Sequence, residues 1–272
     1  MQLDKTRIAI RERSFADVLD LALHVLRDHA GPLAAAFCAG VAPVALFNYW
    51  LFGGWLTSDV YDLEDIWQFV WFNAWLTCFE IPLATAPMTL YLGQALFVER
   101  PNPAKIAKDL FASLPQLVLF QVIARGLLTF FVLTIPVLYL GWPYLTEIIL
   151  LERNPWRKKS QQGTSTLTRS GNMHARNRGE LFSRWLASAV IGLALIVIFW
   201  RSLWSLAQLL TSNAEDHAAQ WTVWLPVAIW LTIGYFTVVR FLSYLDLRIR
   251  TEGWEVELLL RAEAARLVRQ LT

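Results

Sequence analysis

The chain has 272 residues, and its 24 Lys and Arg against 22 Asp and Glu leave a net charge of only +2, so no excess of positive charge points to a nucleic-acid binder. Apolar residue types make up 56% and charged types 17%, mean hydropathy is +0.41, and a soluble domain carries about 25% charged residues; the composition is that of a membrane protein. Fourteen Trp suit a chain with aromatic belts at a bilayer surface, while Cys38 and Cys78, without C-x-x-C spacing, indicate neither a disulfide framework nor a zinc site.

In chain order, Phe15, Val18, Leu19, Ala22, Val25 and Leu26 recur at helical spacing behind Ser14 as N-cap. This predicts an amphipathic helix over 14–31, ended by Gly31-Pro32, that lies at the interface or packs on the cytoplasmic end of a bundle. A crossing helix needs about 20 apolar residues, which predicts spans over 32–56, 66–97, 110–134, 137–151, 181–210 and 221–242. The second carries Pro82 and Pro87 and is expected to bend. The fourth, about 22 Å long, is marginal. A basic loop follows over 153–180, with Asn154-Pro155 as a helix start, and an amphipathic helix over 254–271 closes the chain. The N-terminus is polar, so no cleavable signal peptide is expected. The expected fold is all-α, a single integral membrane domain of six transmembrane helices with amphipathic interfacial helices at both termini.

Charge sets the orientation. The loops after the first and fifth spans carry only acids, the turn at Pro136 carries no charge, and of 24 basic residues only Arg125 and Arg201 fall outside the other side. Cytoplasmic loops hold the Lys and Arg, so both termini are expected in the cytoplasm, with Trp50, Trp55, Trp67, Trp71, Trp200, Trp204, Trp221 and Trp224 as an outer belt.

Ionisable residues inside spans are costly and are paired or face a cavity. Glu80, Arg125, Glu147 and Arg201 qualify. Glu80 and Arg125 share a depth within about 5 Å on consecutive spans, which predicts a buried ion pair that holds the bundle or lines a solute or proton path. Glu147 is expected in an interfacial salt bridge, in reach of the Arg-rich loop, and Arg201, with Trp200 before it and Trp204 one turn on, over an indole. Arg153, Arg157, Lys158, Lys159, Arg169, Arg176 and Arg178 form a basic patch for anionic lipid or a partner, each residue contributing about 1 kcal/mol, unless topology alone makes the loop basic. Glu152, Asp246, Arg248, Arg250 and Glu252 form a charged cluster where the last span leaves the membrane.

Three segments carry a resemblance. These are IPVLYLGWPYLTEIILLERNPW over 135–156, GTSTLTR over 163–169 and FLSYLDLRIRTEGWEVELLL over 241–260. The chain resembles the polytopic membrane domain found fused to some bacterial glycerophosphodiester phosphodiesterases and as free-standing small membrane proteins. The middle segment departs from that pattern, with Thr164 where Ser is common and Thr166 where an aromatic falls. The resemblance implies a six-helix bundle in a bacterial inner membrane and does not imply an enzyme, since hydrolysis in the fused proteins belongs to a separate barrel. Such proteins are encoded beside other membrane proteins and AAA-type ATPases, which implies a multi-subunit assembly.

No H-E-x-x-H, G-x-G-x-x-G or P-loop pattern occurs, and His24 and His29 do not share a helix face, so no cofactor, metal site or enzyme is expected. Two function classes remain, with membrane lipids and a protein partner as the expected contacts. One is a structural or scaffolding subunit of a membrane assembly. The other is lipid or small-solute handling through a cavity near Glu80 and Arg125.

Overall fold

The computed structural model describes residues 14–52, 63–98, 101–124, 142–155, 165–175, 177–211 and 217–252. Among them every regular element is helical. Ser14 caps α1 (Phe15–Asp28): its hydroxyl accepts the Asp17 N–H at 3.2 Å, and the Asp17 carboxylate accepts the Ser14 N–H at 3.1 Å, the reciprocal arrangement that satisfies two end donors at once. α1 ends at Asp28, not at Gly31-Pro32. A proline ring collides with the carbonyl four residues earlier, and for Pro32 that residue is Asp28. Gly31 and Pro32 therefore begin α2 (Ala30–Phe52), where an N–H has no helical partner to lose. α1 is docked on the bundle: Val18 and Ala22 are fully buried against Met88, Leu92, Val238 and Leu242, and the Tyr235 hydroxyl donates to the Leu19 carbonyl at 3.1 Å. Hiding a side chain such as Val18 contributes about 1.5–3 kcal/mol.

The expected second span is divided into α3 (Leu63–Ala84) and α4 (Ala86–Ala95), which meet at Thr85. Pro87 is the cause, because its ring denies the Leu83 carbonyl an acceptor role. Thr85 restores the turn by donating both its N–H, at 2.9 Å, and its hydroxyl, at 2.7 Å, to the Ile81 carbonyl. Gly40 of α2 lies against this break, where a Cβ would run into the Ala84 carbonyl oxygen.

Asn102 caps α5 (Pro103–Leu117), which starts before the expected residue 110 and runs on as a π-helical Val118–Ala124. Of the expected fourth span, the described part is a turn and α6 (Leu145–Glu147) with a π-helical extension Ile148–Glu152. Residues 144–150 are buried by protein. Part of the expected basic loop is α7 (Thr166–Ala175). α8 (Arg178–Thr211) and α9 (Leu225–Glu252) follow, α9 being led in by His217–Ala219 and a π-helical Gln220–Trp224.

Among the described residues, four helical stretches, Ala30–Phe52, Pro103–Ala124, Arg178–Leu210 and Gln220–Thr251, are long and apolar enough to cross a membrane. Their outward faces suit lipid, with Leu193 and Leu209 of α8 exposed, and α9 is the hub, its Val238, Phe241 and Tyr244 buried. Trp50 and Trp67 are exposed towards one end of the bundle, where the Trp200 indole N–H also donates to the Gln220 carbonyl at 2.9 Å. The expected helix over 254–271, Trp55 and residues 125–141 lie outside the described residues.

Candidate functional site

At the end of the bundle away from the tryptophans, the charged residues close on one another. The last residue of the α6 extension, Glu152, receives a two-pronged contact from Arg169 of α7, at 2.8 and 3.1 Å, the Tyr244 hydroxyl of α9 at 2.8 Å and the Asn154 carboxamide N–H at 3.0 Å. One turn deeper, Glu147 pairs with Arg240 of α9 at 3.1 Å, and Arg240 also donates to the Pro143 carbonyl at 3.2 Å. A third group forms a ring. Arg184 contacts Glu180 at 2.7 Å and Asp246 at 2.9 Å, and Arg250 contacts the same two acids at 3.0 and 2.9 Å. Asp246 is 4% exposed, so the ring ties α8 to α9 in a medium where opposite charges interact far more strongly than in water.

The electrostatics follow from these contacts. Burial opposes ionisation of Glu152, but the hydrogen bonds from Arg169 and Tyr244 and the nearby Arg248 guanidinium outweigh it and hold the carboxyl below its ordinary range. Arg169 is held above its ordinary value chiefly by the same bond to Glu152. His174 of α7 is pushed down to about 4 by burial. Its Nδ1 lies 3.1 Å from the Ser170 hydroxyl and its ring centroid 5.8 Å from that of Tyr144, whereas Nε2 is buried without a hydrogen-bond partner among the described residues.

Glu80 lies in a different setting, on the face of α3 that also carries Asn73 and Thr77. The Asn48 carboxamide of α2 donates to it at 2.6 Å. Its expected partner Arg125 lies outside the described residues. A cavity of about 30 Å³ sits on the tryptophan-rich side of this pair, with Asn48, Asn73 and Thr222 among its lining residues.

Glu147 pairs with Arg240 of α9 and is buried, not set at the interface against the Arg-rich loop, and the Arg201 guanidinium carbon lies 5.8 Å from the Trp200 ring centroid. Within the charged cluster Glu152, Asp246, Arg248 and Arg250 occupy one end of the bundle, divided between two separate networks, while the side chain of Glu252 is outside the described set. Of the basic patch, Arg153 and Arg169 already hold carboxylates: Arg169 holds Glu152, and Arg153 pairs with the buried Asp109 of α5. Arg153 does so from a left-handed backbone at φ 52°, which costs about 1–2 kcal/mol in a residue other than glycine. Arg178 is exposed, and Arg157, Lys158, Lys159 and Arg176 lie outside the described residues.

Sequence reasoning missed Asp109, Glu180, Arg184 and Asn48 as partners. A signal for Asn48 existed, since a polar side chain amid apolar neighbours on a crossing helix needs a partner at its own depth. Among the described residues, no three His, Cys, Asp or Glu side chains gather as a metal site, and both cysteines are exposed. Comparison with protein-family models, with curated proteins and with solved structures finds no match to this chain.

Proposed function

We propose that this chain is a non-catalytic, multi-pass protein of a bacterial inner membrane, crossing it six times with both termini in the cytoplasm, and that it serves as a structural or scaffolding subunit of a membrane assembly. The observation that supports this reading is the interlocked charge at one end of the bundle. Glu147, Glu152, Glu180 and Asp246 are each gripped by arginine from another turn or helix, so that α6, α7, α8 and α9 present one preformed face. A preformed face binds a partner without the entropic cost of ordering it. The distribution of Lys and Arg supports the orientation.

The test is extraction from native membranes in mild detergent, with mass spectrometry of every protein and lipid that stays bound. A protein partner at near-stoichiometric amount is expected, and it is lost when Arg261, Arg266 and Arg269 are replaced by Glu while membrane insertion persists. Recovery of a lone chain holding one anionic lipid class would overturn the scaffold reading in favour of lipid handling. That alternative also draws on the cavity beside Asn48 and Glu80, but a volume of about 30 Å³ admits water and no lipid or solute, which narrows its ligand.

A further inference from the structure

Asn48 is 4% exposed, and its carboxamide is satisfied at one end only. The end nearer Glu80 makes the 2.6 Å contact, while the oxygen at the other end is buried without a partner among the described residues. Such an orphan costs about 1–3 kcal/mol, a cost that one water molecule removes. The cavity lined by Asn48 and Asn73 is large enough for it. Asn73 lies about 10 Å along α3 from Glu80 towards the tryptophan-rich end, and Thr222, beside Trp221, also lines the cavity, so the water site lies between Glu80 and that end of the bundle.

The contact between Asn48 and Glu80 admits two hydrogen bonds. In one, the amide N–H donates to a carboxylate. In the other, a carboxylic O–H donates to the amide oxygen, for which about 2.5–3.0 Å is the ordinary range. Turning the carboxamide over exchanges the two. In either orientation the far end of Asn48 meets a water molecule, which both donates and accepts.

Among the described residues, the groups around Glu80 leave this exchange to Asn48. The ionisable side chains on packed elements are Cys38 and Tyr49 of α2, Tyr91 of α4, and Lys105, Lys108 and Asp109 of α5, with Tyr235, Arg240, Tyr244, Asp246, Arg248 and Arg250 on α9 and Cys78, Glu64 and Asp65 on α3 itself. Asp109 is held by Arg153 and Arg240 by Glu147. Among the described residues none of them is bonded to Glu80.

We propose that Glu80, half-buried on α3, is a proton-binding site within the bundle, loaded and unloaded through water held between Asn48 and Asn73, with the Asn48 carboxamide turning over as the proton comes and goes. Loading converts carboxylate and hydronium to carboxylic acid and water, and unloading reverses this. The site stands independently of the scaffolding role.

The test is infrared spectroscopy of the purified full chain in lipid nanodiscs, stepped from about pH 5 to pH 9, a range around neutrality that spans ordinary buffered conditions, and transferred to heavy water at each step. Expected is a protonated-carboxyl stretch that weakens as pH rises, shifts on transfer to heavy water and is missing from Glu80→Gln. Asn73→Leu fills the cavity without touching Glu80 and is expected to slow the heavy-water shift severalfold. A band that is absent throughout, that survives in Glu80→Gln or that ignores pH overturns the site, and an unslowed Asn73→Leu overturns the water route. Should Glu80→Gln fail to fold, a lipid-soluble carbodiimide, which attacks protonated carboxyls, reads the wild-type chain directly. An adduct on Glu80 but not on Asp246 supports the proposal, and a Glu80 left unlabelled overturns it.

Discussion

Glu147, Glu152 and Asp246 each face a guanidinium brought in by another helix, whereas Glu80, half the bundle away, faces the carboxamide of Asn48. Both environments remove a carboxyl from water, and they answer the desolvation cost in opposite ways. An arginine supplies full countercharge, which fixes the ionised state and locks the geometry of both partners. A carboxamide supplies a hydrogen bond that is available to either protonation state, so geometry persists while charge varies. The first arrangement suits a rigid docking face and the second a group that exchanges a proton.

The largest effect is expected from Asp246→Asn, which removes the buried carboxylate that Arg184 and Arg250 share. Breaking one partner of a buried pair costs about 3–5 kcal/mol, read as a drop in unfolding free energy in detergent. A loss below about 1 kcal/mol would mean the ring behaves as an exposed ion pair, and the contrast with Glu80 would collapse.

The next is a pH effect at the same end. His174 sits at about 4 in the folded chain against an ordinary 6.5, so the unfolded chain binds the extra proton between those values. The stability His174 contributes is complete above about pH 6.5 and is lost as pH falls towards 4, on the order of 3 kcal/mol in all. Unfolding followed across that window is expected to show the slope in the wild type and to lose it in His174→Gln. Glu152, held below its ordinary range, contributes stability that disappears only at still lower pH, so the two steps separate.

The smallest effect sharpens the comparison. A double-mutant cycle of Glu147→Gln and Arg240→Gln is expected to show a coupling of about 1–3 kcal/mol, while Glu80→Gln alone, which keeps a hydrogen-bonding group against Asn48, is expected to change stability by less than about 1 kcal/mol. Additive losses in the cycle would remove Glu147 from the clamped set.

Much of the helical layout was legible in the residues. Ser14 as a cap, the buried stripe of Val18 and Ala22, the long α8 and the proline-disturbed segment at Pro82 and Pro87 all follow from periodicity and from the missing proline N–H. Boundaries were read less well at Gly31-Pro32, because a proline disrupts the turn before it and not the turn it occupies. The 153–180 segment read as a basic loop because charge outweighed periodicity there, yet Thr166–Ala175 is a helix whose Ser170 and His174 are buried.

The candidate site divides in the same manner. That Glu147, Glu152, Asp246 and Arg250 matter was visible, because charge near an apolar span is costly wherever it lies. Which arginine answers which acid was not visible, since Asp246 and Arg184 lie 62 residues apart and Asn48 and Glu80 lie 32 apart. By itself the sequence determined that the chain is helical, apolar enough for a membrane and lopsided in its basic residues, because helix length, hydropathy and charge distribution are properties of contiguous residues. Only the tertiary structure decided that Arg153 and Arg169, members of the basic patch expected to meet anionic lipid or a partner unless topology alone placed them, are turned onto Asp109 and Glu152. A charge leaving water takes whatever counter-ion the packed helices carry to its own depth, and that depth is set by how the helices dock.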